Sequence, residues 1–367
     1  MTKVVIIGCG VVGATIAYEL SQISELNITV VDKQSPAQGA TSASLGVVMG
    51  VVTRKLKGKA WKLRETSIQR YETLIPELEA ITQRQIPYNR QGILMLCLLE
   101  DDLASWQELL EIRRSQGWQL EIWDIEKVKA NCSHLNLDKI KAAVYSPQDR
   151  QVNPTSLTLA LVDAAQRNGV NFDFNVNVSD IESTESVGKN LTSSSRIKTT
   201  NGDINFDWLV ISAGLGSTLL MASLENQIDI RPVLGQALHL RLPHPLGNAD
   251  FQPVISGDDI HIVPLGEGDY WVGATVEFPV EGSNEIVIDA SQLEVVKEEA
   301  IAFCPPLAQA TIIRTWSGLR PRPEGRPAPI IGNLPGYRNI LLATGHYRNG
   351  ILLAPATAQA IREAILG

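Results

Sequence analysis

The segment "KVVIIGCGVVGATIAYELSQ", residues 3–22, decides the fold. It opens with a β-branched run, Val4 to Ile7. Glycines follow in the pattern G-x-G-x-x-G, at Gly8, Gly10 and Gly13. Apolar residues then recur every four positions, which is the spacing of one helix face, and "NITVVD" follows as a second strand that ends at Asp32. A strand, a glycine turn, a helix and a strand within about thirty residues predict a nucleotide-binding βαβ unit.

Each position of the glycine pattern has a physical reason. The first glycine permits a tight turn, the second lets a pyrophosphate approach the backbone, and the third lets the helix pack closely on the strand. The phosphates would lie at the helix N-terminus, where free N–H groups and the helix dipole favour anions. Asp32, at the end of the second strand, is placed to accept hydrogen bonds from an adenosine ribose. A glycine-rich turn alone could bind nothing, but these flanking features favour a dinucleotide, and the acid favours FAD or NAD over NADP.

The composition limits the other classes of function. The chain has 367 residues, of which 44% are hydrophobic, enough for two packed domains. Its net charge of -8 argues against nucleic acid as the main ligand, because phosphate contacts need clustered Lys and Arg. No apolar run is long enough to span a membrane, and no secretory signal fits, so we expect a cytoplasmic protein without integral membrane association. Neither a metal site nor a disulfide framework is indicated, because no metal-binding or CxxC spacing connects the four cysteines, Cys9, Cys97, Cys132 and Cys304.

Beyond the first unit, the patterns alternate between helical and strand periods. Residues 60–82 predict a helix, and residues 154–174 predict a helix with proline at its start, followed by a strand. The segments "VNVSDIE", "RIKTTNG" and "FDWLVISAG" predict a β-meander. Residues 223–316 predict alternating strands with a helix near 290–303.

After the second strand the chain enters "GATSASLG", residues 39–46, instead of another βαβ unit. Here it begins to resemble the D-amino-acid oxidase family of flavoproteins. The resemblance implies FAD rather than NAD, with the small residues letting the backbone approach the cofactor and the hydroxyls bonding to phosphate. The cofactor contacts that it implies in this half of the chain are Gly8, Gly10, Val11, Val12, Gly13, Asp32, Lys33, Ala40, Thr41, Ser42, Leu45, Gly46 and Val47.

Two further landmarks carry the resemblance in the middle of the chain. "FDWLVISAGLGS" runs from a strand into Ala213 and Gly214, which in the family lie close to FAD. "NVNV" resembles the strand on the adenine side, where Val178 would use its backbone groups. Without the family, both segments would read as simple core strands.

The C-terminal segment "SGLRPRPEGRPAPIIGNLPGYRNILLATGHYRNGILLAPAT", residues 317–357, resembles the signature of glycine oxidases, the thiamine-biosynthesis members of this family. The resemblance implies that the loop "GHYRNG" covers the pyrimidine edge of the flavin. A helix start directed there would stabilise negative charge on the reduced flavin. No cysteine lies between Trp316 and Gly345, so the flavin is expected to be bound non-covalently. The loop residues assigned to the cofactor are His346, Arg348, Asn349, Gly350 and Ile351.

Three residues are the candidates for the substrate site. Arg320 matches the family arginine that binds the substrate carboxylate, for which a guanidinium offers a bidentate fork. Arg348 matches a second arginine near that carboxylate in glycine oxidases. His261 lies where glycine oxidases carry a tyrosine beside the substrate, so this chain departs from the pattern there. A strand histidine satisfied by its neighbours is the alternative for His261.

The resemblance implies an α/β fold with an α+β second domain. Residues 1–84, 144–222 and 317–367 would form a Rossmann-like FAD-binding domain of the glutathione-reductase type. Residues 85–143 and 223–316 would form a discontinuous substrate domain built on an antiparallel or mixed sheet, placed over the flavin.

The implied activity is oxidative deamination of glycine or a small amino acid. A neutral amine would transfer hydride to the flavin, and oxygen would reoxidise the flavin to give hydrogen peroxide. A same-fold dehydrogenase that uses a quinone or protein acceptor is the nearest alternative. A flavin-dependent RNA-modification domain and a non-catalytic flavin-binding protein are the others. Relatives suggest a homo-oligomer.

Overall fold

A computed structural model describes residues 1–184, 192–222, 224, 227–280 and 286–367. Within these residues the strands are β1 (Thr2–Ile7), β2 (Leu26–Asp32), β3 (Val47–Val48), β4 (Tyr88–Asn89), β5 (Ile93–Leu98), β6 (Glu121–Trp123), β7 (Ile140–Ser146), β8 (Arg150–Val152), β9 (Asn171–Phe174), β10 (Val178–Thr184), β11 (Ser193–Thr199), β12 (Gly202–Asn205), β13 (Trp208–Ile211), β14 (Ile230–Arg241), β15 (Val254–Gly257), β16 (Ile260–Gly266), β17 (Asp269–Gly273), β18 (Thr311–Pro323), β19 (Ile330–Asn333) and β20 (Ile340–Thr344).

The α-helices of the same residues are α1 (Val11–Ser21), α2 (Gly58–Thr82), α3 (Leu103–Ser115), α4 (Ile125–Asn131), α5 (Pro154–Arg167), α6 (Ser217–Leu220), α7 (Ala290–Phe303) and α8 (Gly350–Leu366). Short 3₁₀ turns lie at Leu137–Lys139, Gly214–Gly216, Pro305–Gln309 and Tyr347–Asn349. No helix in these ranges is long and apolar enough to cross a bilayer.

The first sheet has six strands in the order β19-β20-β13-β1-β2-β9. All neighbours are parallel except β19, which is antiparallel to β20. Alternate residues of β1 face opposite sides: Val4 and Ile6 pack with α1, α5 and α8, whereas Val5 and Ile7 pack towards the three-stranded sheet β10-β11-β12. The chain leaves β1 towards β2 on one side and meets β13 on the other, so a crevice opens at the carboxyl end of β1.

The second large sheet has eight strands in the order β18-β14-β17-β16-β15-β5-β7-β6. Its pairs are antiparallel except β5 with β15. One face is apolar and packs against α4 and α7 through residues such as Leu238, Val272 and Ile262. A third, small sheet has the order β3-β8-β4.

The predicted fold class is confirmed by this architecture: a Rossmann-like α/β part and a mixed-sheet part. The predicted meander is wrong in one strand, because β13 joins the parallel six-stranded sheet instead of continuing β10, β11 and β12. The buried run at its centre, Leu209 to Ile211, is typical of a strand covered on both faces. The division into two domains stays a proposal, and β7 and β18 each run across one of its predicted boundaries.

Candidate active site

The glycine turn after β1 is packed against the end of β13. A Cβ atom on Gly8 would lie 2.6 Å from the Ser212 carbonyl oxygen, and one on Gly13 would lie 1.9 Å from the Gly8 carbonyl oxygen. Gly8 also has a φ of +105°, which L side chains rarely adopt. Helix α1 therefore starts directly against the strand end. Its first-turn N–H groups, including those of Val12 and Gly13, have no helical carbonyl to bond, so this cradle fits a dinucleotide pyrophosphate.

The hydroxyl of Thr41 lies over the start of α1. It accepts a hydrogen bond from the Val11 N–H at 3.0 Å, and a Cβ atom on Gly10 would approach it to 3.1 Å. Thr41 is buried, which fixes this hydroxyl beside the glycine turn. The sequence reasoning assigned Thr41, Gly10 and Val11 to one site, and the structure brings them together.

Asp32 lies at the other side of the same crevice. Its Oδ2 accepts from the Cys9 N–H at 2.5 Å, and its Oδ1 accepts from the Gln34 N–H at 2.8 Å. The Asp32 carbonyl accepts from the Val176 N–H at 3.0 Å, which brings the start of β10, with Val178, next to the end of β2. Lys33 is exposed beside it. Each carboxylate oxygen keeps further acceptor capacity for a ribose.

The loop at residues 39–47 is held between the small sheet β3-β8-β4 and the eight-stranded sheet. On one side the Gly46 carbonyl accepts from the Val152 N–H at 3.0 Å, and a Cβ atom on Gly46 would lie 1.8 Å from the Val152 oxygen. On the other side the Ala43 carbonyl accepts from Trp316 Nε1 at 3.0 Å. The remaining positions assigned to the cofactor follow the same path: Ala40 and Ser42 are exposed, Leu45 is buried and Val47 starts β3.

The middle and C-terminal landmarks meet at this crevice. The ideal Cβ position of Gly8 lies 2.9 Å from the Ala213 Cα atom. The Gly214 carbonyl accepts from the Thr344 hydroxyl at 3.3 Å, at the end of β20. Three segments that are far apart in the sequence therefore converge at the carboxyl ends of β1, β13 and β20.

The start of α8 is held by side chains from α2. Pro355 lies inside α8 and removes the N–H that would bond the Ile351 carbonyl, so the Tyr71 hydroxyl donates to that carbonyl instead, at 2.5 Å. Burial raises the pKa of Tyr71, which keeps it a neutral donor. The N–H of Asn349, one of the loop residues assigned to the cofactor, donates to the His346 carbonyl at 3.0 Å in a 3₁₀ turn. Gly350 and Ile351 open the α-helix proper.

His346 is buried, and its ring faces the helix. The Thr357 hydroxyl donates to the Leu353 carbonyl at 2.8 Å, so in its 2.9 Å contact with His346 Nε2 it accepts and Nε2 carries the proton. Burial lowers the pKa of His346 to about 4. The ring is therefore neutral near pH 7 and anchors the loop to α8.

Strand register places the substrate candidates on one face of the eight-stranded sheet. Trp316 pairs with Ala237, and Ala237 pairs with Gly273, which pairs with His261. Arg320 lies four residues from Trp316 on β18, and residues an even number apart share a face. We call this the site face. Leu45 of the 39–47 loop packs on it, so the site face is turned towards the nucleotide crevice.

Arg320 is held across β14 by backbone carbonyls. Its Nη1 donates to the Leu234 oxygen at 2.8 Å and to the Thr275 oxygen at 2.9 Å. A Cβ atom at position 235 would lie 2.2 Å from Nη2, so Gly235 is what lets the guanidinium cross the strand. Burial, and then the charge of Arg348, lowers the pKa of Arg320, but a guanidinium stays protonated. A fixed, partly desolvated cation of this kind suits a carboxylate.

Arg348 is bound by an aspartate. Its Nη2 lies 3.1 Å from Asp259 Oδ1, and its Nη1 lies 3.3 Å from Asp259 Oδ2, a two-point contact from the loop before α8 to the hairpin of β15 and β16. Hydrogen bonding to Arg348 lowers the pKa of Asp259. Arg348 thus lies near Arg320, with its charge already paired.

His261 lies on β16 beside the same charges. Its Nδ1 is 2.9 Å from the Ser256 hydroxyl. Burial, followed by the charge of Arg348, lowers the pKa of His261 to about 4, so the ring is neutral near pH 7. A neutral imidazole held through Nδ1 can offer Nε2 to a ligand without adding charge.

Several residues of the site were not found from the sequence. Gly235 and Trp316 act through strand register and Asp259 through a hairpin turn that meets a distant loop, which no local motif reports. Tyr71 of α2 acts across a helix contact, at the carbonyl that Pro355 leaves free in α8. Only the proline inside an otherwise helical pattern could have signalled a need for such a donor.

The crevice and the site face together define a dinucleotide-binding oxidoreductase fold. A family model described as FAD dependent oxidoreductase matches residues 3–364, and the chain belongs to that family. FAD as the cofactor and an FAD-dependent oxidoreductase as the class of enzyme are thereby confirmed. The residues that would hold FAD are those of the glycine turn, the end of β2 and the 39–47 loop.

Several relatives match the whole length of this chain at modest identity. The chain is 26% identical over 362 residues to the glycine oxidase of Geobacillus kaustophilus, covering 99% of this chain and 92% of that protein. It is 28% identical over 377 residues to the bifunctional protein ThiO/ThiG of Trichormus variabilis, covering all of this chain and 53% of that protein. The solved glycine oxidase of Bacillus cereus superposes with a TM-score of 0.86 at 26% identity, over 100% of this chain and 95% of that one.

Proposed function

We propose that this protein is an amino-acid oxidase of the glycine-oxidase type. Its substrate would be glycine or another small primary or secondary amino acid, and its products an imine, which hydrolyses in water, and hydrogen peroxide. The observation that carries the proposal is Arg320, a partly buried guanidinium held on the site face and turned towards the nucleotide crevice. The similarity to glycine oxidases supports the choice of substrate class.

In this proposal Arg320 binds the substrate carboxylate through the donors that Leu234 and Thr275 do not use. Its Nη1 is occupied by the two carbonyls, which leaves Nη2 and Nε without a partner among the described residues. FAD, when bound, supplies the hydride acceptor. Holding the carboxylate fixes the direction of the Cα–H bond, and orientation of this kind supplies much of the rate of such a transfer.

His261 and Arg348 complete the proposed site around the carboxylate. His261 is neutral and adds no charge beside the substrate amine, which must itself be neutral to release hydride from its α-carbon. A cytoplasmic location, a homo-oligomeric state and non-covalent binding of FAD stay predictions.

The test is anaerobic reduction of the FAD-loaded protein by glycine, sarcosine, and D- and L-amino acids, followed by admission of oxygen. We expect bleaching of the flavin by a small amino acid and peroxide formation on reoxidation. Arg320→Ala should lower the second-order rate of bleaching by about 10²- to 10³-fold, because a desolvated bidentate carboxylate contact is lost. Arg326→Ala is the matched control, since Arg326 follows the same strand and is exposed.

Three results would contradict the proposal. Unchanged bleaching in Arg320→Ala would remove the carboxylate clamp. Reduction by no amino acid in the panel would remove the substrate class. Rapid reduction of a quinone dye, with negligible oxygen consumption, would identify the dehydrogenase alternative instead.

A further inference from the structure

The site holds two guanidinium groups, Arg348 and Arg320, with different hydrogen-bond partners. Both affect the pKa of Asp259, which is lowered first by hydrogen bonding to Arg348 and also by the charge of Arg320. Asp259, Arg348 and Arg320 therefore form one electrostatic cluster. Within it, Asp259 contacts Arg348 through both carboxylate oxygens, whereas the hydrogen bonds of Arg320 go to backbone carbonyls, which carry no net charge.

Glu277 is the other acid that acts on Arg320. Its Oε1 accepts from Gln236 Nε2 at 2.9 Å and from the Thr275 hydroxyl at 2.5 Å. Its Oε2 accepts from the Asp289 N–H at 3.3 Å. Glu277 is thus engaged along the strand edge and makes no direct ion pair with Arg320 in the described residues.

We propose that Asp259 is a specificity-determining residue that limits the site to amino acids with a single carboxylate. The inference rests on the proposed function and deepens it. Arg320 receives the α-carboxylate. Arg348 would be the natural partner of a second carboxylate, but its two Nη atoms are already taken by Asp259.

A dicarboxylic amino acid meets two obstacles at this position. Its second carboxylate must displace Asp259 from Arg348, and it is repelled by Asp259 as long as that carboxylate stays close. Substrates with no side chain or with an uncharged side chain meet neither. The Asp259 side chain is 73% exposed and that of Arg348 is 33% exposed, so the pair is solvent-screened and the discrimination should weaken as salt is added.

The hairpin that carries Asp259 permits a conservative test. Asp258 and Asp259 form a two-residue turn between β15 and β16, with φ of +50° and +64°. Both residues of such a turn need positive φ, and Asn tolerates it as well as Asp does. Asp259→Asn therefore removes the charge and keeps the turn. Asp258→Asn makes the same chemical change one residue away, on a residue that does not contact Arg348.

The experiment uses FAD-loaded protein and two acids that cannot be oxidised as amino acids, acetate and malonate. Dissociation constants come from the perturbation of the visible flavin spectrum at low and at high salt. We expect malonate to bind Asp259→Asn about five- to tenfold more tightly than wild type, and acetate to change less than about twofold. Asp258→Asn should match the wild type for both acids.

The outcomes separate this inference from the proposed function. An unchanged malonate constant in Asp259→Asn, or an equal change for acetate, would overturn the role of Asp259. So would a wild-type protein that already prefers malonate. Wild-type protein that shows the expected pattern of acids but is reduced by no amino acid would refute the proposed function and leave the charge selection in place. Wild-type protein that binds neither acid would overturn both.

Discussion

Around the glycine turn the close contacts join backbone atoms, whereas on the site face a side chain lies over the backbone of a strand that is distant in the sequence. A Cβ atom on Gly13 would collide with the backbone oxygen of Gly8. One on Gly235 would collide with the tip of Arg320, a side chain that can move. A glycine at the glycine turn therefore sets the backbone path. A glycine on the site face instead sets the position of a ligand-binding side chain.

This difference predicts which substitutions disturb the fold and which disturb only substrate binding. The cofactor crevice depends on chain geometry, so a change there should affect the fold and FAD binding together. The site face depends on side chains laid over an intact sheet, so a change there should alter substrate binding while the protein stays folded. Substitutions in the two regions should therefore separate the loss of stability from the loss of substrate binding.

Gly13→Ala should have the largest effect. Its Cβ atom would lie 1.9 Å from the Gly8 oxygen and 2.7 Å from Ser212 Oγ, and the turn cannot move away because Gly8 is itself packed on β13. We expect the free energy of unfolding to fall by about 3 kcal/mol or more, with loss of FAD. Chemical denaturation and the FAD content of the purified protein measure both effects.

Gly216→Ala is the control for that substitution. Its nearest neighbour would be Ala213 Cβ at 3.6 Å, an ordinary contact. It should keep FAD and change the free energy of unfolding by less than about 1 kcal/mol. If Gly13→Ala also kept FAD and wild-type stability, the turn would be far more tolerant than its contacts imply.

His346→Gln should change the response to acid. The pKa of His346 is about 4 in the folded protein, because the ring is buried, and near 6.5 when unfolded. Between these values the unfolded state binds more protons, so wild-type stability is lost as the pH falls from about 6.5 towards 4. The histidine should account for about 2 kcal/mol of that loss between pH 8 and pH 5.

Glutamine cannot titrate but can still donate to Thr357. Urea denaturation at pH 8 and at pH 5 should therefore show a smaller acid-induced loss in the variant than in the wild type. His244→Gln, an exposed histidine on the surface, controls for the substitution itself. An identical acid-induced loss in His346→Gln and in the wild type would mean that the ring does not resist protonation.

The sequence predicted the two regions unequally, for the same physical reason. Gly8, Gly10 and Asp32 lie within one βαβ unit, where a local pattern fixes the backbone path, and the structure places them together. The site face is assembled from β14 to β18, and its register is set by pairings that no single segment contains. Arg320 was found only through the family resemblance, and its supporting Gly235 not at all.

Gly235→Ala tests the side-chain region without disturbing the crevice. The new methyl group would lie 2.2–2.5 Å from the guanidinium atoms of Arg320, which must leave the Leu234 and Thr275 carbonyls. Because β14 is paired on both sides and the displaced group is the end of a flexible side chain, the free energy of unfolding should change by about 1 kcal/mol or less, and FAD should stay bound. A displacement near 1 Å of an orienting group can cost about 10²-fold in rate, so kcat/KM for the best amino acid should fall by roughly 10- to 100-fold. Steady-state kinetics and thermal unfolding on one preparation decide the matter: a loss of fold or of FAD in this variant would erase the distinction between the two regions, because a glycine on the site face would then be as structural as Gly13.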